Sequence, residues 1–413
     1  MLYLIAHSDE MHNDDDYVSD ELIFAKAKFE ELFGSTQNIQ AAVTPASLIL
    51  LGDHTHYNEG ILISVALNRF TVIIIRKRND NQIIIADLNS GVKINLDGNG
   101  TDTSYNTVFK YVVSITKLFQ SEKIINKGFE CVVSYNIPDC IGLGFSSSLQ
   151  VCMASALKKV FNTNIDGKAL LALVRKNDLA VTGKISNLAH LYTTKFKKEN
   201  RLFFIDLRTL EYKTILPKDN NFELIILDTG EKIINPQATC NERIEECEIG
   251  VKGLRLYIWG IKNLRDVQSD FLLKHYHMLP RRIFNRVLYN VGERARAENA
   301  IKHLKKNSLH EFGKCLTESH RSLSNEYELS CFKCDFIVEK SMDHKGVYGS
   351  KMISCTPKRG IFNLVNKSDS DNYIDYIKHQ YKEKFNEDLT VYSFRISKGI
   401  KEISSKEIES ILK

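Results

Sequence analysis

The chain has 413 residues, 43% of them hydrophobic and 26% charged, with 21 Gly and 6 Pro. That length and balance exclude a stapled mini-protein, a disordered chain and a fibrous repeat, and predict a soluble globular protein of two domains or one large α/β unit. Lys and Arg number 56 against 51 Asp and Glu, and the net charge of +5 is too small to call for a nucleic-acid partner.

Met1–Tyr17 has neither a basic n-region nor a long apolar stretch, and no run of about 18 apolar residues occurs anywhere, so neither secretion nor membrane spanning is expected. After the acidic start at Asp14–Asp16, apolar and charged residues from Ser19 to Phe33 fall at helical spacing and predict a surface helix. Ser47–Gly52 reads as a strand, and Thr71–Arg76 and Gln82–Ala86 as two more, joined in a hairpin through Asn79-Asp80-Asn81. Phe129–Tyr135 and Arg201–Asp206 are strand-like runs that flank a helix with Leu149, Cys152, Met153, Ala156, Leu157 and Val160 on one face. Phe222–Leu227 opens a further strand, after which helices dominate, one carrying Ala297, Ala300, Ile301 and Leu304 on a single stripe. A boundary near Pro217–Asn221 divides the chain into residues 1–219 and 220–413. There is no internal repeat or low-complexity tract.

Cysteines at 131, 140, 152, 240, 247, 315, 331, 334 and 355 follow no framework spacing, so thiols in a reducing cytoplasm are expected. The one CxxC, Cys331-Phe-Lys-Cys334, has no second pair or nearby His to complete a zinc site and reads as two incidental thiols.

The most informative turn is Pro138-Asp-Cys-Ile-Gly142-Leu-Gly144-Phe-Ser146-Ser147-Ser148, between a strand and the amphipathic helix. Gly142 and Gly144 let the backbone bend tightly, Ser146 and Ser147 offer hydroxyls, and unpaired N–H groups at the helix start favour an anion such as a phosphate. A serine-rich cap on an ordinary core helix is the plainer reading of the same residues. A second segment, Gly52-Asp53-His54-Thr55-His56-Tyr57-Asn58-Glu59-Gly60, gathers polar side chains in a loop leaving a strand, where they could hydrogen-bond a polyol or simply face solvent. His54 and His56 also admit a metal pair, against the plainer reading of loop histidines holding hydrogen bonds. Lys195-Phe-Lys197-Lys198-Glu-Asn-Arg201 reads as a solvated basic loop.

Taken together, the polar loop resembles the galactokinase signature and the glycine turn resembles the Pro-x-x-x-Gly-Leu-Gly/Ser-Ser-Ser motif of GHMP kinases. A third stretch, Ser319-His320-Arg-Ser-Leu through Tyr327-Glu-Leu-Ser-Cys331 to Asp335-Phe336, is similar to a further galactokinase segment. The resemblance runs from about residue 20 to 400. It implies an α+β, two-domain GHMP kinase fold, with an N-terminal α/β domain, a C-terminal α+β domain and the active-site cleft between them. It also implies ATP and Mg²⁺ as cofactors, a sugar-like ligand, Gly142, Gly144, Ser146 and Ser147 at the nucleotide phosphates, and Ser146 near the metal. Asp53, His54, His56 and Cys240 would fall in the sugar pocket.

The family pattern breaks where transfer is performed. Its Pro-Gly-Arg is Pro45-Ala46-Ser47 here, and its catalytic Asp falls at His190, with no Asp or Glu from Leu179 through Lys198 to restore the carboxylate. Its Glu-His-Thr-Asp is Asp53-His54-Thr55-His56, a Tyr becomes Cys240, and the glycine-rich third motif becomes Ser354-Cys-Thr-Pro357-Lys-Arg-Gly360. A catalytically defective homologue acting as sensor, regulator or scaffold is therefore expected. The alternative is an active kinase of changed specificity with His190 as base, since an imidazole accepts protons near neutral pH. A purely structural protein would require the glycine turn to be only a cap.

Overall fold

The computed structural model describes residues 14–96, 106–183, 187–196, 201–218, 221–354, 356–397, 401–404 and 407–408. In chain order the first half contains α1 (Asp14–Phe33), β1 (Gln40–Leu51), β2 (Ile61–Lys77), β3 (Ile83–Asp87), β4 (Val92–Leu96), α2 (Thr107–Ser121), β5 (Phe129–Tyr135), α3 (Phe145–Val160), α4 (Gly167–Thr182), α5 (Leu188–Phe196), β6 (Leu202–Asp206) and β7 (Glu211–Ile215). The second half contains β8 (Phe222–Lys232), α6 (Pro236–Leu254), α7 (Ser269–Lys274), α8 (Arg281–Lys305), α9 (Leu309–Asn325), α10 (Phe332–Asp343), β9 (Val347–Ile353), β10 (Lys358–Asn366), α11 (Ser370–Phe385), β11 (Thr390–Phe394) and β12 (Lys401–Ile403).

Two sheets organise these elements. The larger runs β12-β1-β2-β5-β3-β4, with β6 beside the first part of β2 and β7 beside β6; the smaller is the antiparallel set β11-β8-β10-β9. The chain changes sheet between β7 and β8, and β12 returns to pair with β1. The expected hairpin between residues 71–76 and 82–86 does not form. Instead β5 inserts between them, antiparallel to β2 and parallel to β3. Local turn residues brought the two strands close in sequence, but β5, buried from Phe129 through Ser134, lies in the centre of the sheet with both its edges paired, which satisfies its backbone groups better than an edge position would.

Helix α3 packs its apolar face on β1 and β2 with α2, α4 and α5 beside it, and Phe109, Val112, Phe129, Leu149, Met153 and Leu157 are buried together there. On the opposite face of the same sheet, α1 covers it with Leu22, Ala25 and Phe29. A second core, containing Leu48, Leu50, Val65, Leu143, Leu224 and Phe362, joins the end of the large sheet to the small one. Within this seam Pro45 sits where the β1–β2 register shifts between Pro45 and Ala46. A proline cannot donate to the ladder, so a strand irregularity is its natural place, and the irregularity re-aims the residues that follow. Among the described residues no helix is long and apolar enough to cross a membrane.

Candidate functional site

The glycine turn is wedged between the two sheets. The Ser47 N–H donates to the Leu143 carbonyl at 3.0 Å on one side, and the Lys358 N–H donates to the Cys140 carbonyl at 3.0 Å on the other. Gly142 and Gly144 lie at φ 81° and 64°, left-handed conformations that favour glycine. Space forbids side chains as well: a Cβ on Gly142 would fall 2.5 Å from Ile353 and Thr356 methyls, and one on Gly144 would fall 2.4 Å from Ser47 Oγ and 2.7 Å from His190 Nδ1. Gly144 is the N-cap of α3 and supplies no side-chain cap. The N–H groups of Phe145, Ser146 and Ser147, in the first turn, therefore have the geometry of an anion cradle. The half-buried Ser146 hydroxyl hydrogen-bonds the Tyr111 phenol, while Ser147 is buried. This donor set fits the phosphates of a nucleotide, with Ser146 the hydroxyl closest in character to a magnesium ligand.

Against this turn stands a corner made of side chains. Ser47, on β1, is fully buried, and its Oγ is 2.9 Å from Nδ1 of His190, on α5. Burial, with the nearby His56 imidazole, pushes the His190 pKa down to about 4, against a backbone hydrogen bond to Ser47 that favours the charged form. Burial likewise pushes His56 down to about 4, and its Nδ1 is buried without a hydrogen-bond partner among the described residues. At neutral pH the corner therefore holds two neutral imidazoles and a hydroxyl.

The polar loop after β1 is fixed from the other half of the chain. Asp53 forms a buried ion pair with Lys351 of β9, a fully buried lysine; burial raises the Asp53 pKa and Lys351 opposes the rise. The Tyr289 hydroxyl of α8 donates to the Asp53 carbonyl at 2.9 Å, and the Gly52 N–H donates to the buried Glu293 carboxylate at 2.8 Å. Glu293 also accepts from Ser319 and Arg296, at 2.8 Å each. His54 is buried, with Nδ1 3.2 Å from the Tyr57 hydroxyl and its ring centroid 5.1 Å from that of Tyr327. Desolvation holds His54 well below the usual imidazole range. Among the described residues no group of three His, Cys, Asp or Glu could hold a metal ion.

Comparison with known proteins fits this arrangement. The galactokinase galactose-binding signature matches residues 27–77, and the GHMP kinase N-terminal domain matches residues 110–193. A galactokinase of Fusobacterium nucleatum is 27% identical over 377 residues, covering 90% of this chain and 97% of that protein. A galactokinase of Staphylococcus carnosus is 27% identical over 384 residues, covering 92% and 98%. The chain is similar to galactokinases along nine-tenths of its length. The Lactococcus lactis galactokinase complexed with galactose superposes with a TM-score of 0.84 at 23% identity, covering 92% of this chain and 98% of that one, and shares the fold. The expected α+β GHMP kinase fold is thus found, and galactokinase homology implies nucleotide and sugar substrates and the general use of ATP and Mg²⁺.

Three of the positions singled out in sequence, Ser47, Gly144 and His190, meet directly, and His56 lies close enough to His190 to depress its pKa. Cys240 is different. It is half-buried near the start of α6 and disulfide-bonded, which corrects the expectation of free thiols throughout; Cys131, Cys140, Cys152, Cys247, Cys315, Cys331 and Cys334 are free. Linear spacing carries no trace of such a bond, because folding decides which sulfurs approach. Lys195 also departs from the solvated loop foreseen for it: it lies in α5 and pairs with Glu402 at 2.9 Å. Residues 197–200, the centre of that basic run, and Cys355 of the third motif lie outside the described residues. Sequence reasoning missed Lys351, Glu293 and Tyr111, none of which stands in a local motif; the burial of a charge at Lys351 and Glu293, and the approach of Tyr111 to Ser146, are displayed only by the fold.

Proposed function

We propose that this galactokinase homologue binds a magnesium nucleotide at Gly142, Gly144, Ser146 and Ser147 but transfers phosphate to galactose poorly or not at all, and acts as a ligand sensor, regulator or scaffold. The observation that carries this reading is the Ser47–His190 hydrogen bond beside Gly144. The family pattern puts an Arg and an Asp at these two positions. Here a neutral hydroxyl and a neutral imidazole satisfy each other, so the corner supplies neither a fixed cation for the transferring phosphoryl group nor a carboxylate for the acceptor hydroxyl. Bound MgATP supplies the transferable phosphoryl. A base with its pKa near 4 is poorly matched to neutral pH, and phosphoryl transfer depends mostly on positioning and charge stabilisation.

In the sugar pocket, Asp53 is engaged by Lys351, and His56 presents an imidazole where the signature has an acceptor-only carboxylate. Both features, with Cys240 tied in a disulfide, support weak galactose binding. The reading also takes residues 1–219 and 220–413 as the two domains and places the protein in the cytoplasm. One feature favours the active alternative: when the Nδ1 of His190 donates to Ser47, Nε2 carries the lone pair of the neutral ring and can accept a proton.

The test is phosphoryl transfer from MgATP across a panel of sugars and small alcohols, alongside calorimetry with ADP and ATP. The expected result is nucleotide binding, with galactose turnover lower than in an active family member by about 10²–10⁵-fold, the range for a missing base or phosphoryl-stabilising arginine. Robust turnover that His190→Ala abolishes would overturn the defective-kinase reading and make His190 the base.

A further inference from the structure

The CxxC segment, absent from the site described above, occupies an unusual position. Cys331 is the extended N-cap of α10, at φ −145° and ψ 168°, and is half-buried; Cys334, one turn into the helix, is fully buried. Cys334 lies beside the Cys331 sulfur, whose own S–H donates to Glu231 at 3.1 Å. Residues one helical turn apart hold their Cβ atoms about 5–6 Å apart, against about 3.5–4.5 Å in a disulfide. Side-chain rotation with a small shift of the N-cap residue closes that difference, because Cys331 has extended φ and ψ and only its carbonyl, which accepts from the Asp335 N–H at 2.9 Å, is tied into the helix.

We propose that Cys331 and Cys334 are a redox modification site that cycles between a dithiol and an intramolecular disulfide, with Cys331 the attacking thiol and Cys334 the resolving one. Their surroundings divide the two roles. Cys334 beside it, aided by the Arg359 guanidinium, holds the Cys331 thiol below the ordinary range against burial and the Glu231 carboxylate, whereas Cys331 and burial push Cys334 well above it. Cys140 supplies a contrast: it is similarly half-buried, but burial pushes its thiol up to about 11. A thiolate at a helix N-terminus and near a cation is the reactive form of cysteine.

The oxidant is a low-molecular-weight disulfide such as oxidised glutathione. The Cys331 thiolate attacks one of its sulfurs, forming a mixed disulfide and expelling one glutathione thiolate. The Cys334 thiolate then attacks the Cys331 sulfur, closing the intramolecular bond and expelling the second thiolate. Two cysteine thiols are oxidised, one small disulfide is reduced to two thiols, and the two cysteine protons pass through solvent to the leaving thiolates. The S–H that Cys331 donates to Glu231 at 3.1 Å is lost in the process.

The experiment equilibrates the full-length protein in mixtures of reduced and oxidised glutathione, quenches with an alkylating agent, and maps tryptic peptides by mass spectrometry. Trypsin cuts after Lys333, so the disulfide joins peptide Ser322–Lys333 to peptide Cys334–Lys340. That linked pair is expected at the oxidising end and should vanish with dithiothreitol. In the reduced protein, Cys331 should alkylate roughly tenfold or more faster than Cys140 near neutral pH. Cys334→Ser should stop with glutathione on Cys331, and Cys331→Ser should leave Cys334 unmodified. Recovery of both peptides singly alkylated under the most oxidising mixture, or glutathione on Cys334 in place of Cys331, would overturn the proposal.

Discussion

The glycine turn and the side-chain corner touch at Gly144, yet they are built from different material. The turn is a main-chain device: two left-handed glycines and the open N-terminus of α3, a geometry that depends on the path of the chain and little on neighbouring side chains. The corner is the reverse. Ser47, His56 and His190 come from β1, the loop after it and α5, and their chemistry changes completely with the residue types while the strands and helix that carry them stay in place. A main-chain cradle of this kind can therefore persist while the side chains beside it change, because backbone N–H groups survive substitutions that remove a charge.

Four experiments strain that contrast, from the largest expected effect to the smallest. Lys351→Met removes the partner of the buried Asp53 carboxylate, and breaking a buried pair on one side costs about 3–5 kcal/mol. Urea denaturation should show that loss, and nucleotide calorimetry on the folded variant should change little; a large loss of nucleotide affinity without destabilisation would erase the division between turn and pocket. The second is pH. His56 and His190 titrate near 4 when folded and at about 6.5 when unfolded. Between these values the unfolded chain binds more protons, so stability falls as pH drops from about 6.5 toward 4, by up to about 1.4 kcal/mol per pH unit for each imidazole. Thermal melts across that window should show the decline, and His190→Gln should flatten it; an unchanged slope would contradict the buried neutral pair.

Gly144→Ala comes third. Its Cβ would strike Ser47 and His190 and would sit at positive φ, so ADP affinity measured by calorimetry should fall about tenfold, or about 1.4 kcal/mol. Equal binding in the variant would show that the turn is only a helix cap. The smallest effect belongs to Ser47→Ala, which deletes one buried hydrogen bond worth about 1 kcal/mol. A fall of that size in unfolding free energy, with ADP affinity intact, would place Ser47 in the corner and outside the cradle. A tenfold loss of ADP affinity would merge the two.

Much of this molecule is written locally. The turn of Gly142 and Gly144, the helix face from Leu149 to Val160 and the strand Phe129–Tyr135 are legible because glycine freedom and side-chain periodicity act over a few residues, and each is found where the pattern puts it. Order and spacing of three motifs also pointed to the family, and through it to Ser47 and His190, which lie 143 residues apart and share a hydrogen bond. What the linear chain leaves undecided is pairing at a distance. Residues 71–76 and 82–86 looked like a hairpin until β5 came between them, Lys351 found Asp53 across 298 residues, and Cys240 joined a disulfide that no spacing announced. The physical reason is common to all three. A local signal fixes what a segment can become, whereas its partner is chosen by which buried surfaces and charges the folded chain can satisfy together, and that choice exists only in three dimensions.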